Sequence, residues 1–339
     1  MTSRLTFGLI LAAASALGLW TMQPSAAPQQ QKAKATAAAH AKLATLSENA
    51  RRDVDYAALD GRLKQLANKP TMVGMSVGIV ENGRITFLSG YGVTEAGKDE
   101  KVTPETVFRW ASVSKGLAAT MVAKLAEQGK VNLNAPVGTY KTTLRLPGGA
   151  ENRATVGDVL SHRLGLYRNA YDNKLEEGQD PHFLRQTLAQ LNSICAPGTC
   201  WSYQNVAYDT ASELVEKISG KSYPQAVQQM LFNPIGMTSA SVTREGLVGA
   251  KSWARPHTVG RRPLEVLDAY YKVPAAGGVN SNIKDMSLWM IAQMGLMPDV
   301  LSPKLLNTIH APLVKTPGER GRMRKFLERL GQADYGYGW

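Results

Sequence analysis

The 339-residue chain is 44% hydrophobic and 19% charged, which excludes an intrinsically disordered polypeptide and allows one large domain or two lobes with a substantial core. Its formal net charge of +12 favours anionic surfaces such as phospholipid or cell-wall polymers and opposes self-association. The basic residues are scattered and form no DNA- or RNA-binding motif, so nucleic acid is set aside as a partner.

The first residues read as an export signal: Arg4, the uncharged run Leu5 to Trp20, then Ser25-Ala26-Ala27. The run is shorter than the roughly 20 residues of a spanning helix. Pro28 is poorly accepted directly after a cleavage site, so two readings of residues 1–27 stay open: a signal peptide, or an uncleaved N-terminal anchor that tethers the chain to a membrane through residues 5–20. Either makes the protein exported, periplasmic or held at the inner membrane. No cysteine lies near enough for a lipid-modified terminus. Residues 28–48, rich in Gln, Ala and Lys, read as a linker, and residues 49–339 as the folded domain.

Within that domain, Asp55 to Asn68 has helical spacing. Val73–Val80 and Arg84–Leu88 read as strands joined through Asn82-Gly83, the strongest short hairpin signal. Phe108 to Ala111 is extended. From about Gly116 to Tyr271 the pattern is mainly helical, with helices over Ala119–Gln128, Val156–Ser161, Phe183–Leu191, Ala207–Ile218 and Gln225–Leu231. A further helix spans Asp285–Met294. Strands, a block of helices and an expected return to strands give an α/β (α+β) domain: an antiparallel sheet flanked by helices, interrupted by an all-helical lobe at about 117–271.

Two features carry chemistry. Ser112-Val113-Ser114-Lys115 sets a hydroxyl and an amine three residues apart, on one face of a helical turn. The alternative reading is a helix start that Ser112 caps, with Lys115 in solvent. Further on, Tyr203 and Asn205 share a face in extended chain. Just before them, Cys195 and Cys200 flank a Pro197-Gly198 turn that can bring the two sulfurs together. In an oxidising compartment a disulfide is expected, against two buried free thiols. His40, His162, His182, His257 and His310 show no metal-ligand spacing, so neither metal nor cofactor is expected. Glu176 and Glu177 read as a solvated face, and Trp289, Met290 and Met294 as core.

With these motifs go, in order, Thr155 to Leu166, Pro197-Gly198-Thr199, Asn233 to Thr238, and Ala276 to Ser281 leading to Asp285-Met286. From about Tyr56 onward the chain resembles the class C β-lactamase and D,D-peptidase group of penicillin-recognising serine hydrolases, which includes many esterases; S-x-x-K is a known mark of that group. The resemblance implies a β-lactamase/transpeptidase-like fold with Ser112 as nucleophile, Lys115 as general base, Tyr203 as the second proton-transfer group, and Asn205 bonding Lys115 and the substrate amide. The implied substrate is a small amide or ester, with β-lactams and peptidoglycan peptides among the candidates. His162 has a structural place in the group. The Ser-Asp-Asn and deacylating glutamate of class A enzymes have no counterpart here.

The resemblance also implies a third motif, H-x-G or K-[ST]-G, on a strand beside the site, and residues 204–339 contain neither. Lys315-Thr316-Pro317-Gly318 and His257-Thr258-Val259-Gly260 each have one residue too many, and the proline suits a loop better than a strand. The expectation is a family member truncated at its C-terminus, without the final sheet strands and one of two oxyanion donors. An inactive or cell-wall-binding relative is the alternative to an active hydrolase.

Overall fold

The computed structural model describes residues 54–323 and 333–339, so the segments read as export signal and linker lie outside the described residues. Helix α1 (Tyr56–Ala67) starts at Asp55, whose carboxylate accepts from the Ala58 amide at 3.0 Å. Strands β1 (Gly74–Glu81) and β2 (Arg84–Gly92) form the expected antiparallel hairpin. Asn82 and Gly83 both take positive φ, 50° and 77°, the turn geometry that matches strand twist. β2 continues past Leu88 because Ser89, Gly90 and Tyr91 extend the ladder opposite Val77, Ser76 and Met75.

Strand β3 (Phe108–Arg109) leads through a 3-10 turn, Ala111–Val113, into helix α2 (Ser114–Glu127). That helix begins earlier than its periodicity suggested, since Gly116 weakens the helical signal. The glycine is there for packing: a Cβ at Gly116 would sit 2.9 Å from the Trp339 ring. Helices α3 (Val156–Leu160), α4 (Asp172–Glu176), α5 (Pro181–Thr187) and α6 (Thr210–Ser219) follow. Thr155 and Asp158 cap α3 reciprocally. Residues 249–273 are irregular rather than helical, broken by Pro256, Gly260 and Pro263.

Helix α7 (Pro274–Gly277) and strand β4 (Asn280–Ser281) return the chain to β3, with Phe108 opposite Ser281 and Arg109 opposite Asn280. Helix α8 (Ile283–Ile291) packs on β1, and α9 (Pro303–His310) packs on α2. Strands β5 (Val314–Lys315) and β6 (Asp334–Tyr335) pair antiparallel. Among the described residues the antiparallel pairing is thus divided into three two-stranded pieces. Trp289 is buried as expected, but Met290 and Met294 lie on the exposed side of α8 and the turn after it.

Two large apolar clusters fill most of the interior, beside a small third one of Val107, Leu247 and Val266. One surrounds α2, with Leu117, Met121, Phe232 and Trp289; the other draws on Val137 to Ala207 and on Ala269, Val273 and Ala276. Neighbouring residues divide between them: Tyr208 and Ala275 join the first, Ala207 and Ala276 the second. Buried polar groups gather along this seam, where Lys115, Asn205 and Asp209 all lie.

Candidate active site

Ala111 has φ +48°, a conformation non-glycine residues seldom adopt, and it sets the exposed Ser112 at the mouth of α2. One turn on, Lys115 is 1% exposed. Its Nζ donates to Asn205 Oδ1 at 2.7 Å and to the Ala276 carbonyl at 2.9 Å. The Tyr203 hydroxyl donates to Ser112 Oγ at 2.7 Å, and Lys115 Nζ lies 4.6 Å from the centre of the Tyr203 ring. The four residues singled out in the sequence therefore meet at one place. The reading of Lys115 as a solvated side chain is overturned by its burial.

Burial brings the Lys115 ammonium down to about 7, against the carboxylates of Asp172 and Asp209, which act to raise it. Burial also raises the Tyr203 phenol above its ordinary value, with the hydrogen bond to Ser112 opposing. Near neutral pH the lysine is thus partly a free amine, and the tyrosine holds its proton.

Three supporting groups carried no signal in the sequence. Asp172 Oδ2 accepts from Asn205 Nδ2 at 2.7 Å, which fixes the amide so that its oxygen faces Lys115. Asp209 accepts from the Ala275 amide at 2.9 Å, from Arg185 at 3.0 Å and from Ser212 at 2.9 Å. Asp209 thereby anchors the backbone segment whose next carbonyl, that of Ala276, receives Lys115. Arg168 lies 5.3 Å from the Tyr203 ring centre and 5.8 Å from that of Trp201, and pairs with Glu319 at 3.2 Å. None stands in a motif of its own, and only the fold brings each to the site.

His162 is wholly buried among Tyr203, Tyr208 and Tyr335, with ring centres 4.5 to 5.1 Å away. Its Nδ1 accepts from the Gln204 amide at 3.1 Å, and burial holds the imidazole well below its ordinary range. A neutral ring of this kind supports the chain around Tyr203. Glu176 is exposed as expected but also accepts from the Tyr270 hydroxyl at 2.7 Å. Cys195 and Cys200 form a disulfide, their Cα atoms 6.3 Å apart. Gly338 lies against α2: a Cβ there would meet the Lys115 carbonyl at 2.5 Å. Among the described residues no three His, Cys, Asp or Glu side chains gather as metal ligands.

The arrangement is a serine hydroxyl with a buried amine and a phenol at hand, and the beta-lactamase family model matches residues 59–339. The chain belongs to the beta-lactamase family. Among its relatives is the unguisins hydrolase ungD' of Aspergillus campestris, 29% identical over 282 residues, which are 78% of this chain and 51% of that protein. The D-alanyl-D-alanine-carboxypeptidase/endopeptidase AmpH of Escherichia coli is 27% identical over 225 residues, 64% of this chain and 56% of that one. Esterase EstB of Burkholderia gladioli is 29% identical over 246 residues, 67% and 61% respectively. The chain thus spans roughly half the length of the first of these relatives. The octameric penicillin-binding protein homologue from Pyrococcus abyssi superposes with a TM-score of 0.72 at 22% identity, covering 84% of this chain and 64% of that one. D-alanine carboxypeptidase AmpC from Burkholderia cenocepacia does so at 0.61 and 24%, covering 76% and 69%. Those two likenesses establish the β-lactamase/transpeptidase fold.

Proposed function

We propose that the protein is an exported serine hydrolase that opens an amide or ester through an acyl-serine intermediate. One observation carries the reading: the Tyr203 hydroxyl is on Ser112 Oγ at 2.7 Å, beside a buried Lys115 held by Asn205 and Ala276. Lys115, as the free amine, takes the proton of Ser112 while Oγ bonds to the substrate carbonyl carbon. The bond to the leaving nitrogen or oxygen breaks, Tyr203 gives that atom its proton, and Lys115 passes to Tyr203 the proton it took from Ser112. Water then cleaves the acyl ester, which releases the acid and restores Ser112. Asn205 orients Lys115 and offers its amide to the substrate. Export rests on Arg4 with the run Leu5 to Trp20, and on the disulfide, which suits an oxidising compartment such as the periplasm. The carboxypeptidase and esterase names of the relatives suggest peptides and esters as substrate classes.

A fluorophosphonate probe should label the protein at Ser112, and Ser112→Ala should abolish labelling. Equal labelling of the alanine variant would refute the assignment. The second reading is a relative that binds without turnover. Labelling at Ser112 with no hydrolysis of nitrocefin or p-nitrophenyl butyrate would select it.

A further inference from the structure

We infer that the tight turn at residues 256–264 docks on an anionic phospholipid surface, with Val259 at the lipid and Arg261 and Arg262 at the headgroups. This is independent of the chemistry at Ser112. Backbone hydrogen bonds hold the turn in shape. The Leu264 amide donates to the Pro256 carbonyl at 2.8 Å and the Thr258 amide to the Arg262 carbonyl at 2.9 Å, with His257 opposite Pro263. The Arg261 amide donates back to the Thr258 carbonyl at 2.9 Å, and the Arg262 amide to Thr258 Oγ1 at 3.1 Å. Arg261 takes φ +65°, which a non-glycine residue keeps only where its surroundings impose it. The base is tied to the body: the Ala254 and Arg255 amides donate to the carbonyls of Val107 and Thr94 at 2.9 Å each, and His257 Nε2 accepts from the Ala96 amide at 3.0 Å. A turn already ordered in this way loses little entropy when it binds.

The apex of the turn is apolar. Val259 is 85% exposed, and Leu264 and Leu267 beyond it are 44% and 58% exposed. The three border one concavity of the surface, so they form a patch rather than scattered single residues. Aliphatic side chains held in water over such a patch gain by being covered, and mark a membrane or partner surface.

The charges choose the membrane. Lys251 to Pro263 contains four basic residues and no acidic one. Arg255 is engaged by Glu95 at 3.6 Å and by the Trp253 ring. Arg261 and Arg262 are exposed and, among the described residues, have no carboxylate partner. Asp268 is paired with Arg244 at 3.3 Å, and exposed Glu265 is the carboxylate that opposes the two arginines. The overall charge of +12 acts with them. An aliphatic apex with two guanidinium groups just behind it matches a layer that is phosphate outside and hydrocarbon within. The arginine stems lie along the apolar boundary while their heads meet phosphate. A soluble polyanion would pair with the arginines and leave Val259 in water, whereas a bilayer takes both.

The test places a nitrobenzoxadiazole label on Val259→Cys in the full chain, whose own two cysteines are bonded to each other. The label reports the turn itself, so attachment through any other segment does not mimic the result. With vesicles of about 30% phosphatidylglycerol in phosphatidylcholine, its emission should brighten and move to the blue, less so as salt rises. On phosphatidylcholine alone the response should be at least about tenfold weaker. Each basic residue near an anionic bilayer contributes about fivefold in affinity, so Arg261→Glu with Arg262→Glu should weaken the response about twentyfold or more. Leu267→Asp should weaken it about tenfold, and Phe183→Asp, at an exposed apolar position on α5, should leave it unchanged. The residues changed are all exposed, so native urea midpoints should show each variant to be folded. Water-like emission on the anionic vesicles, or an equal response on phosphatidylcholine alone, overturns the proposal. So does binding of soluble poly(glycerol phosphate) through Arg261 and Arg262 with no blue shift on vesicles, which would make the patch a polymer site.

Discussion

The buried lysine yields the sharpest expectation. An ordinary lysine with a pKa near 10.5 is a free amine in roughly one molecule in three thousand at pH 7. Lys115, brought down to about 7 by burial, is a free amine in about half of them. Because the free amine is the base, Ser112 phosphonylation should rise with pH, about tenfold per unit below the inflection, and level off above it. Between pH 5 and pH 7 the rise is about fiftyfold. The assay is the rate of fluorophosphonate labelling across pH 5 to 9. Lys115→Arg keeps the charge and the donors but never deprotonates, so it should lose the pH-dependent rate. Asn205→Asp leaves the lysine in place and puts a carboxylate against it, which moves the inflection upward and slows labelling at pH 7 by about tenfold or more. A flat profile, or a folded Lys115→Arg variant that labels at the native rate, would refute the lysine as base.

Asp172→Asn removes a charge that raises Lys115, so its labelling profile should shift to lower pH; an upward shift would contradict the electrostatics of the site. Intact mass with and without reductant should differ by two hydrogens, and two freely alkylated thiols in natively exported protein would count against the disulfide. With five residues of separation, closing this small loop contributes about 2 kcal/mol, which urea unfolding of a Cys200→Ser variant should show as lost. Gly338→Ala adds a Cβ at φ +75° and 2.5 Å from the Lys115 carbonyl; urea unfolding should show a loss of about 1–3 kcal/mol. An unchanged midpoint would mean the contact is not maintained in solution.

Local chemistry made part of this molecule legible from its sequence. Asn82-Gly83 announces its hairpin because only such residues accept two successive positive φ values. Thr155 and Asp158 mark the start of α3 by capping it. Ser112 and Lys115 are readable as a pair because one turn of helix links them. Asp172 and Asp209 are not: each serves a partner far along the chain, and nothing in either segment distinguishes it from an ordinary acidic residue. The same holds for the Ala276 carbonyl, since a backbone acceptor leaves no trace in the residue type. The irregular segment 249–273 falls inside the span whose pattern is mainly helical, and Pro256 and Pro263 deny its backbone the needed bonds.

The fit of Gly338 against the Lys115 carbonyl has a consequence for the order in which the molecule is built. The two residues are more than two hundred positions apart, and at about 5–20 residues per second a ribosome takes roughly ten to forty seconds to cover that distance. The β1–β2 hairpin can form within microseconds of its synthesis. The first turn of α2 has its full set of neighbours only after Tyr335 to Trp339 arrive. Until then the surfaces of Gly116 and, once they are made, of Trp289 and His310 that receive Trp339 stand open to water, and the nascent chain depends on whatever shields them. Such long-range closure is slow, so the surroundings of Ser112 and Lys115 are among the last parts of the protein to take shape.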